Sequence, residues 1–268
     1  LNNDTNTAFE VTFAFENTMP NSDAFSVSAV TDPRYLSVTA RHIFIKMPDE
    51  GYEPRINDHR VGYFVNKSTD LTSYENFPNF ALINKWRLIK KDPQAELSEP
   101  VEPIVYWVEN STPEEIIPAV VAGIENWNIA FEEAGFKNAI IAKDPPSVDE
   151  DPDWSAEDIR YSVFRYLAST TINANGGQVA DPRSGEILQF DVNWYHNVLK
   201  LLRNWWVVQT GAINPEARSI ELKNEVMGEG VRFVAAHEVG HAIGLPHNMG
   251  SSSAYPVDSL RSKTFTKN

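Results

Sequence analysis

The chain has 268 residues, 42% hydrophobic and 22% charged, a composition that can bury a core and excludes a wholly disordered chain. Its 37 acidic against 23 basic residues give a formal charge of -14, which repels phosphate backbones and argues against a nucleic-acid partner. There is no cysteine, so disulfides and thiolate metal ligands are excluded. No apolar run reaches the roughly 18 residues of a membrane span, and no secretory leader pattern stands at the start.

From 9 to 15, Phe9, Val11, Phe13 and Phe15 alternate with Glu10, Thr12 and Ala14, the period of a half-buried strand. The stretches 25–30, 35–42 and 43–48 repeat this style and predict an antiparallel region to about residue 50. A short strand is expected at 61–65 within a long connection, and the Pro- and Glu-rich stretch 90–103 reads as a linker or surface crossing. "PIVYWVEN" at 103–110 begins a second style. The helix after it carries Ile117, Val120, Ile124, Trp127 and Phe131 at spacings of three and four. Thr112, Pro113 and Glu115 suit a capping box, but Pro118 lacks a donor, so the regular helix is expected to start there. Strands follow at 139–144 and 159–168 around an acidic loop, then a hairpin turning near 183–185 and a helix over 195–210. A last helix is predicted over 220–243 despite Gly228 and Gly230, each weakening it by about 1 kcal/mol relative to alanine. The order is that of an α/β domain. The expected division is a β-rich region with its connection at 1–95 and a second domain at 96–268.

That last helix carries "HEVGHAIGLPH". His237 and His241 lie one turn apart on one side, so two imidazoles can meet one ion. Gly244 can take a left-handed conformation and Pro246 discourages continuation, which lets the chain return His247 as a third ligand. Three neutral imidazoles suit Zn²⁺ with a position left open, and Glu238 stands where a general base can take a proton from attacking water. Val231, Ala235, Val239 and Ala242 fall on the opposite face and are expected in the core; Phe233 and Val234 flank the histidine side as walls of a cleft.

His237, Glu238, His241, Gly244 and His247 fill every fixed position of HExxHxxGxxH, and here the chain resembles the metzincin clan of zinc endopeptidases. "RYSVFRY", "DPRSGEIL", "WYHN", "RFVAAHEVGHAIGLPHN" and "SSSAYPVDSLRSK" resemble large exported zinc-dependent metzincins of Bacteroidetes-type bacteria, and "DHRVGYF" is similar to their "DPRxGYF". The similarity covers about residues 40–268. It implies an upper lobe with a twisted mixed sheet and an active-site helix, preceded by a partial antiparallel β region. An antiparallel edge strand for extended substrate would fall within 177–190. The function implied is hydrolysis of peptide bonds in a peptide or protein substrate, with an exported location: periplasmic, cell-surface or secreted. A methionine turn should follow the third ligand by tens of residues. Met19, Met47, Met227 and Met249 do not suit it, so the lower lobe is expected to be incomplete.

Other candidates have plainer readings. His196 reads as a structural hydrogen-bonding histidine. The acids Asp149, Glu150, Asp151, Asp153, Glu157 and Asp158 offer oxygens to Ca²⁺ without the spacing of an EF-hand, and read as a solvated loop. Trp205 and Trp206 read as core or interface. Asp58 is a candidate inhibitory carboxylate by location alone. The rival to the peptidase is a non-enzymatic zinc-binding or surface binding module on the same scaffold; an intact Glu238 favours the enzyme.

Overall fold

A computed structural model describes residues 5–21, 31–49, 51–72, 74, 79–219, 221–260, 262, 264 and 265. It divides into two compact units, Leu1–Glu50 with Glu157–Ile159, and Gly51–Ala156 with Arg160–Asn268.

In the first unit β1 (Asn6–Glu16) and β2 (Tyr35–Ile45) pair antiparallel without interruption from Asn6↔Ile45 to Glu16↔Tyr35. The two strands predicted at 35–42 and 43–48 are therefore largely one, because no turn residue separates His42 from Ile43. The strand expected at 25–30 lies outside the described residues. The half-buried reading of β1 also needs correction: Phe9, Phe13 and Phe15 are 44%, 42% and 55% exposed. Among the described residues a two-stranded ribbon has no second layer, and its rings pack across the pair instead. Phe9 stacks on His42 at 5.2 Å and on Phe44 at 5.4 Å.

The second unit opens with an antiparallel pair, β3 (Val65–Thr69) and β4 (Asn79–Ile83). The strand expected at 61–65 begins only at its last residue, and β4 was not anticipated. The stretch 90–103 is a surface crossing pinned by bridges at Lys90↔Pro100 and Ser98↔Phe136.

A five-stranded sheet forms the centre of this unit. Its strands are β5 (Ile104–Val108), β6 (Ile140–Lys143), β7 (Ser162–Leu167), β8 (Ala174–Ala180) and β9 (Ile187–Tyr195), in the order β6-β5-β7-β9-β8. β6, β5, β7 and β9 run parallel, and β8 returns antiparallel to β9 as an edge strand. Strands covered on both faces read as near-continuous apolar runs. IVYWV in β5 follows that rule, whereas in β9 the buried Phe190, Val192 and Trp194 alternate with Asp191 and Asn193, the period of a strand with one face in the core.

The turn between β8 and β9 is held by Asp181, whose carboxylate accepts from the Arg183 backbone N–H at 2.8 Å and from its guanidinium at 2.7 Å. That hydrogen bond holds the Asp181 carboxyl below its ordinary value against the cost of burial. A depressed folded pKa contributes stability that is present above the unfolded value of about 3.9 and lost as pH falls through the folded one. Asp181→Asn is expected to lower stability at pH 7 by about 1–3 kcal/mol. Urea unfolding should show the gap closing as pH falls below the unfolded value of about 3.9 and the folded carboxyl takes up its proton; an unchanged gap would remove the carboxylate from the turn's stability.

The predicted helix through Phe131 is two helices, α1 (Ile117–Glu125) and α2 (Asn128–Glu133). It breaks where the Trp127 indole turns to donate to the Ala236 carbonyl at 2.8 Å. The expected capping box is absent: Ile116 is the N-cap, and the buried Thr112 hydroxyl makes no hydrogen bond among the described residues. The helix predicted over 195–210 is α3 (Val198–Trp205), continued by a π-helical turn at Trp206–Thr210.

The last helix, α4, spans Asn224–Ala242; its expected first residue, Ile220, lies outside the described residues. Val231, Ala235, Val239 and Ala242 are fully buried, as the helical spacing requires. Val234 is buried with them, not on the cleft side. α4 packs on α1 and reaches β8 and β9. The close approach to α1 needs Gly123, where a Cβ would stand 2.7 Å from the Ala235 Cβ and the Arg232 carbonyl oxygen. Among the described residues no helix is long and apolar enough to cross a membrane.

Candidate metal centre

α4 presents His237 and His241 one turn apart and ends at Ala242. Gly244 then takes φ +106°, while the Gly244 N–H donates to the His241 carbonyl and the Leu245 N–H to the Gly240 carbonyl. This is a helix stop in which a left-handed residue satisfies the last free carbonyls. It turns the chain so that His247 comes back over the helix.

The three imidazoles converge. His247 Nε2 lies 3.0 Å from His237 Nε2 and 3.1 Å from His241 Nε2, and the three residues form the group of metal-ligating side chains found together among the described residues. His241 Nδ1 donates to the Leu245 carbonyl at 2.7 Å, an assignment made from the partner, which leaves Nε2 as a bare lone pair. Burial first, and then repulsion from His241 and His247, lowers the pKa of His237 and favours its neutral form. Facing lone pairs at this distance need a proton or a cation between them. A tetrahedral ion with nitrogens at about 2.0–2.1 Å sets them about 3.3–3.4 Å apart. Both separations from His247 match that spacing to within a few tenths of an ångström, and all three ligand atoms lie within 4.8 Å of one another.

Glu238, only 6% exposed, lines the same cleft of about 600 Å³. Burial raises its pKa, and His241 pulls the other way. A buried carboxylate next to the triad can hold or release a proton there.

Two indoles fix α4 from outside: Trp86 Nε1 donates to the Ala242 carbonyl at 2.9 Å and Trp127 Nε1 to the Ala236 carbonyl at 2.8 Å. Phe64 packs its ring against His241 with centroids 5.8 Å apart, and its N–H donates to the Gly244 carbonyl at 2.8 Å. The Asn84 N–H donates to the Phe64 carbonyl at 2.8 Å, and its Nδ2 donates to Gln178 Oε1 on β8 at 2.6 Å. Sequence reasoning missed Phe64, Trp86, Asn84 and Gln178. The one signal in the sequence is "DHRVGYF", which marks the stretch that ends at Phe64 but gives no contact for it.

The edge strand is β8, Ala174–Ala180; the expected window 177–190 began three residues late and ran into β9. Phe233 is 65% exposed but walls a different cavity, of about 400 Å³, with Trp205, Trp206 and Leu202. His196 takes the structural role expected, its Nδ1 lying 2.6 Å from the Tyr166 hydroxyl. Asp58 is held by Arg60 in its own turn, with the Arg60 guanidinium 2.6 Å from its carboxylate. The acids at 149–158 do not converge; Glu150, for one, accepts from the Ser147 N–H and hydroxyl.

A mixed sheet beside a helix that carries two of three converging histidines is consistent with a zincin-like arrangement. Residues 219–268 match a family described as Met-zincin, and residues 2–91 match a domain described as of unknown function. No curated protein and no solved structure matches the chain. The Met-zincin match and the triad together give a metzincin-like metal-binding fold.

Proposed function

We propose that this chain carries the catalytic centre of a zinc-dependent endopeptidase, with His237, His241 and His247 holding the metal and Glu238 acting as general base. The observation that carries the reading is the convergence of three ring nitrogens beside a buried glutamate in one cleft. When bound, zinc supplies Lewis-acid polarisation of a carbonyl and lowers the pKa of water. The chain's own residues do the rest. His241 is kept in one tautomer by its bond to the Leu245 carbonyl, so Nε2 stays free to ligate. The edge strand β8 offers backbone groups along the cleft to an extended peptide. The Glu238 carboxylate takes a proton from the attacking water and gives it to the leaving amine nitrogen.

Full-length protein is expected to cleave an unstructured protein, to lose that cleavage on chelation and to regain it with stoichiometric zinc. Zinc at about 100 times its Kd adds about 2.7 kcal/mol to the native state, so chelation also lowers the melting temperature. Anomalous scattering at the zinc edge then locates the ion among the three rings. Zinc bound with no cleavage across a broad peptide library would transfer the site to the binding-module reading.

A further inference from the structure

We propose that Phe64 is a positioning residue of the metal centre, so that the stretch before the central sheet is an integral wall of the site. The inference rests on the reading that the triad holds zinc. Phe64 lies 173 positions before His237, yet three observations tie it to the triad. Its ring stands 5.8 Å from the His241 ring at an interplanar angle of 53°. Its backbone N–H holds the Gly244 carbonyl, the point at which the chain turns to bring back His247. Its side chain lines the same cleft as Glu238 and the three histidines.

These contacts divide the orienting work. The His241 imidazole is fixed on one edge by its Nδ1 bond to the Leu245 carbonyl. That bond alone leaves the ring free to tilt about its side-chain torsion, which for a ring of this kind is broad. The Phe64 ring limits the tilt and keeps water from that side of the imidazole. Its own place is set by backbone bonds on both sides, since the Asn84 N–H holds the Phe64 carbonyl while the Phe64 N–H holds Gly244. Asn84 in turn reaches Gln178 on β8. One short path therefore runs from the edge strand through Asn84 and Phe64 to the turn before the third ligand. Groups that orient metal ligands without touching the metal typically change affinity by about 10- to 100-fold when removed.

Phe64 is 36% exposed, so truncating its ring leaves the core intact and the backbone bonds in place. The test uses the full-length chain with zinc and with cobalt as probes. Phe64→Ala is expected to weaken zinc binding by about 10-fold in a competitive chelator titration. It should also alter the visible ligand-field spectrum of the cobalt-loaded protein, a signature that loss of global stability alone does not move. Phe64→Tyr, which keeps the ring, should restore both. Parent affinity and parent spectrum in Phe64→Ala would overturn the proposal, as would failure of Phe64→Tyr to restore either in a protein with the parent melting temperature. A parent that binds both metals but cleaves nothing removes the peptidase reading and leaves this test standing; a parent that binds neither overturns both.

Discussion

Replacing Glu238 by glutamine should reduce peptide hydrolysis by about 10²- to 10⁴-fold while leaving zinc content unchanged. The amide has the shape of the carboxylate and cannot take a proton. Glu238 is 6% exposed and its pKa is raised by burial, so the parent keeps a charge where solvation is poor. Glutamine carries no such cost, and the variant is expected to melt no lower than the parent. This combination separates a catalytic from a structural role: activity falls, stability does not, and metal stoichiometry holds. Equal rates in parent and variant, in full-length protein free of contaminating protease, would remove Glu238 from the mechanism.

The second large effect belongs to Gly244. Its φ of +106° is strained for any residue with a side chain, and a Cβ there would stand 2.3 Å from the Asn84 carbonyl oxygen. Left-handed backbone costs roughly 1–2 kcal/mol and an overpacked contact about 1–3 kcal/mol more. Backbone cannot yield as a flexible side-chain tip can, so Gly244→Ala should destabilise by about 2–5 kcal/mol and lower the melting temperature by roughly 5–15 °C. The turn that moves is the one that returns His247, so zinc stoichiometry should fall with it. A variant with parent melting and full zinc occupancy would show that His247 reaches the site by another route.

The spacing of side chains along α4 made the triad legible before any coordinates. His237 and His241 share a side because a helix turns every 3.6 residues, and Gly244 and Pro246 mark a stop by conformational rules that act locally. The same periodicity placed Val231, Ala235, Val239 and Ala242 in the core. β5, β6 and β7 were legible to within a few residues because each holds a short apolar run between turn residues, whereas β8, ANGGQVA, has no such run.

What was not legible came from contacts distant in sequence. Trp127 fits the helical period and stands at the junction of α1 and α2, where its indole reaches the Ala236 carbonyl, a partner 109 residues away that no local pattern announces. Val234 was assigned to the cleft from its angle beside His237, whereas the packing around α4 buries it. Phe64 and Asn84 lie in a stretch without periodicity, and their importance appears only when Gly244 comes to meet them. On β1 the alternation was read correctly but not what covers it, since period two says which residues share a face and nothing about a layer above.

The pairing of α1 with α4 has a consequence for synthesis. About a hundred residues separate the two helices, and at roughly 5–20 residues per second the ribosome takes about 5–20 s to make them. Throughout that interval Val120 and Ile124 of α1 lack their α4 partner in the nascent chain, and the β8 and β9 surface that α4 will cover joins them only near its end. Helices, strands and hairpin are all complete before the residues that seal them are translated. The helix that finally covers this apolar surface is also the one that carries His237 and His241, so the seal and two of the three ligands arrive together.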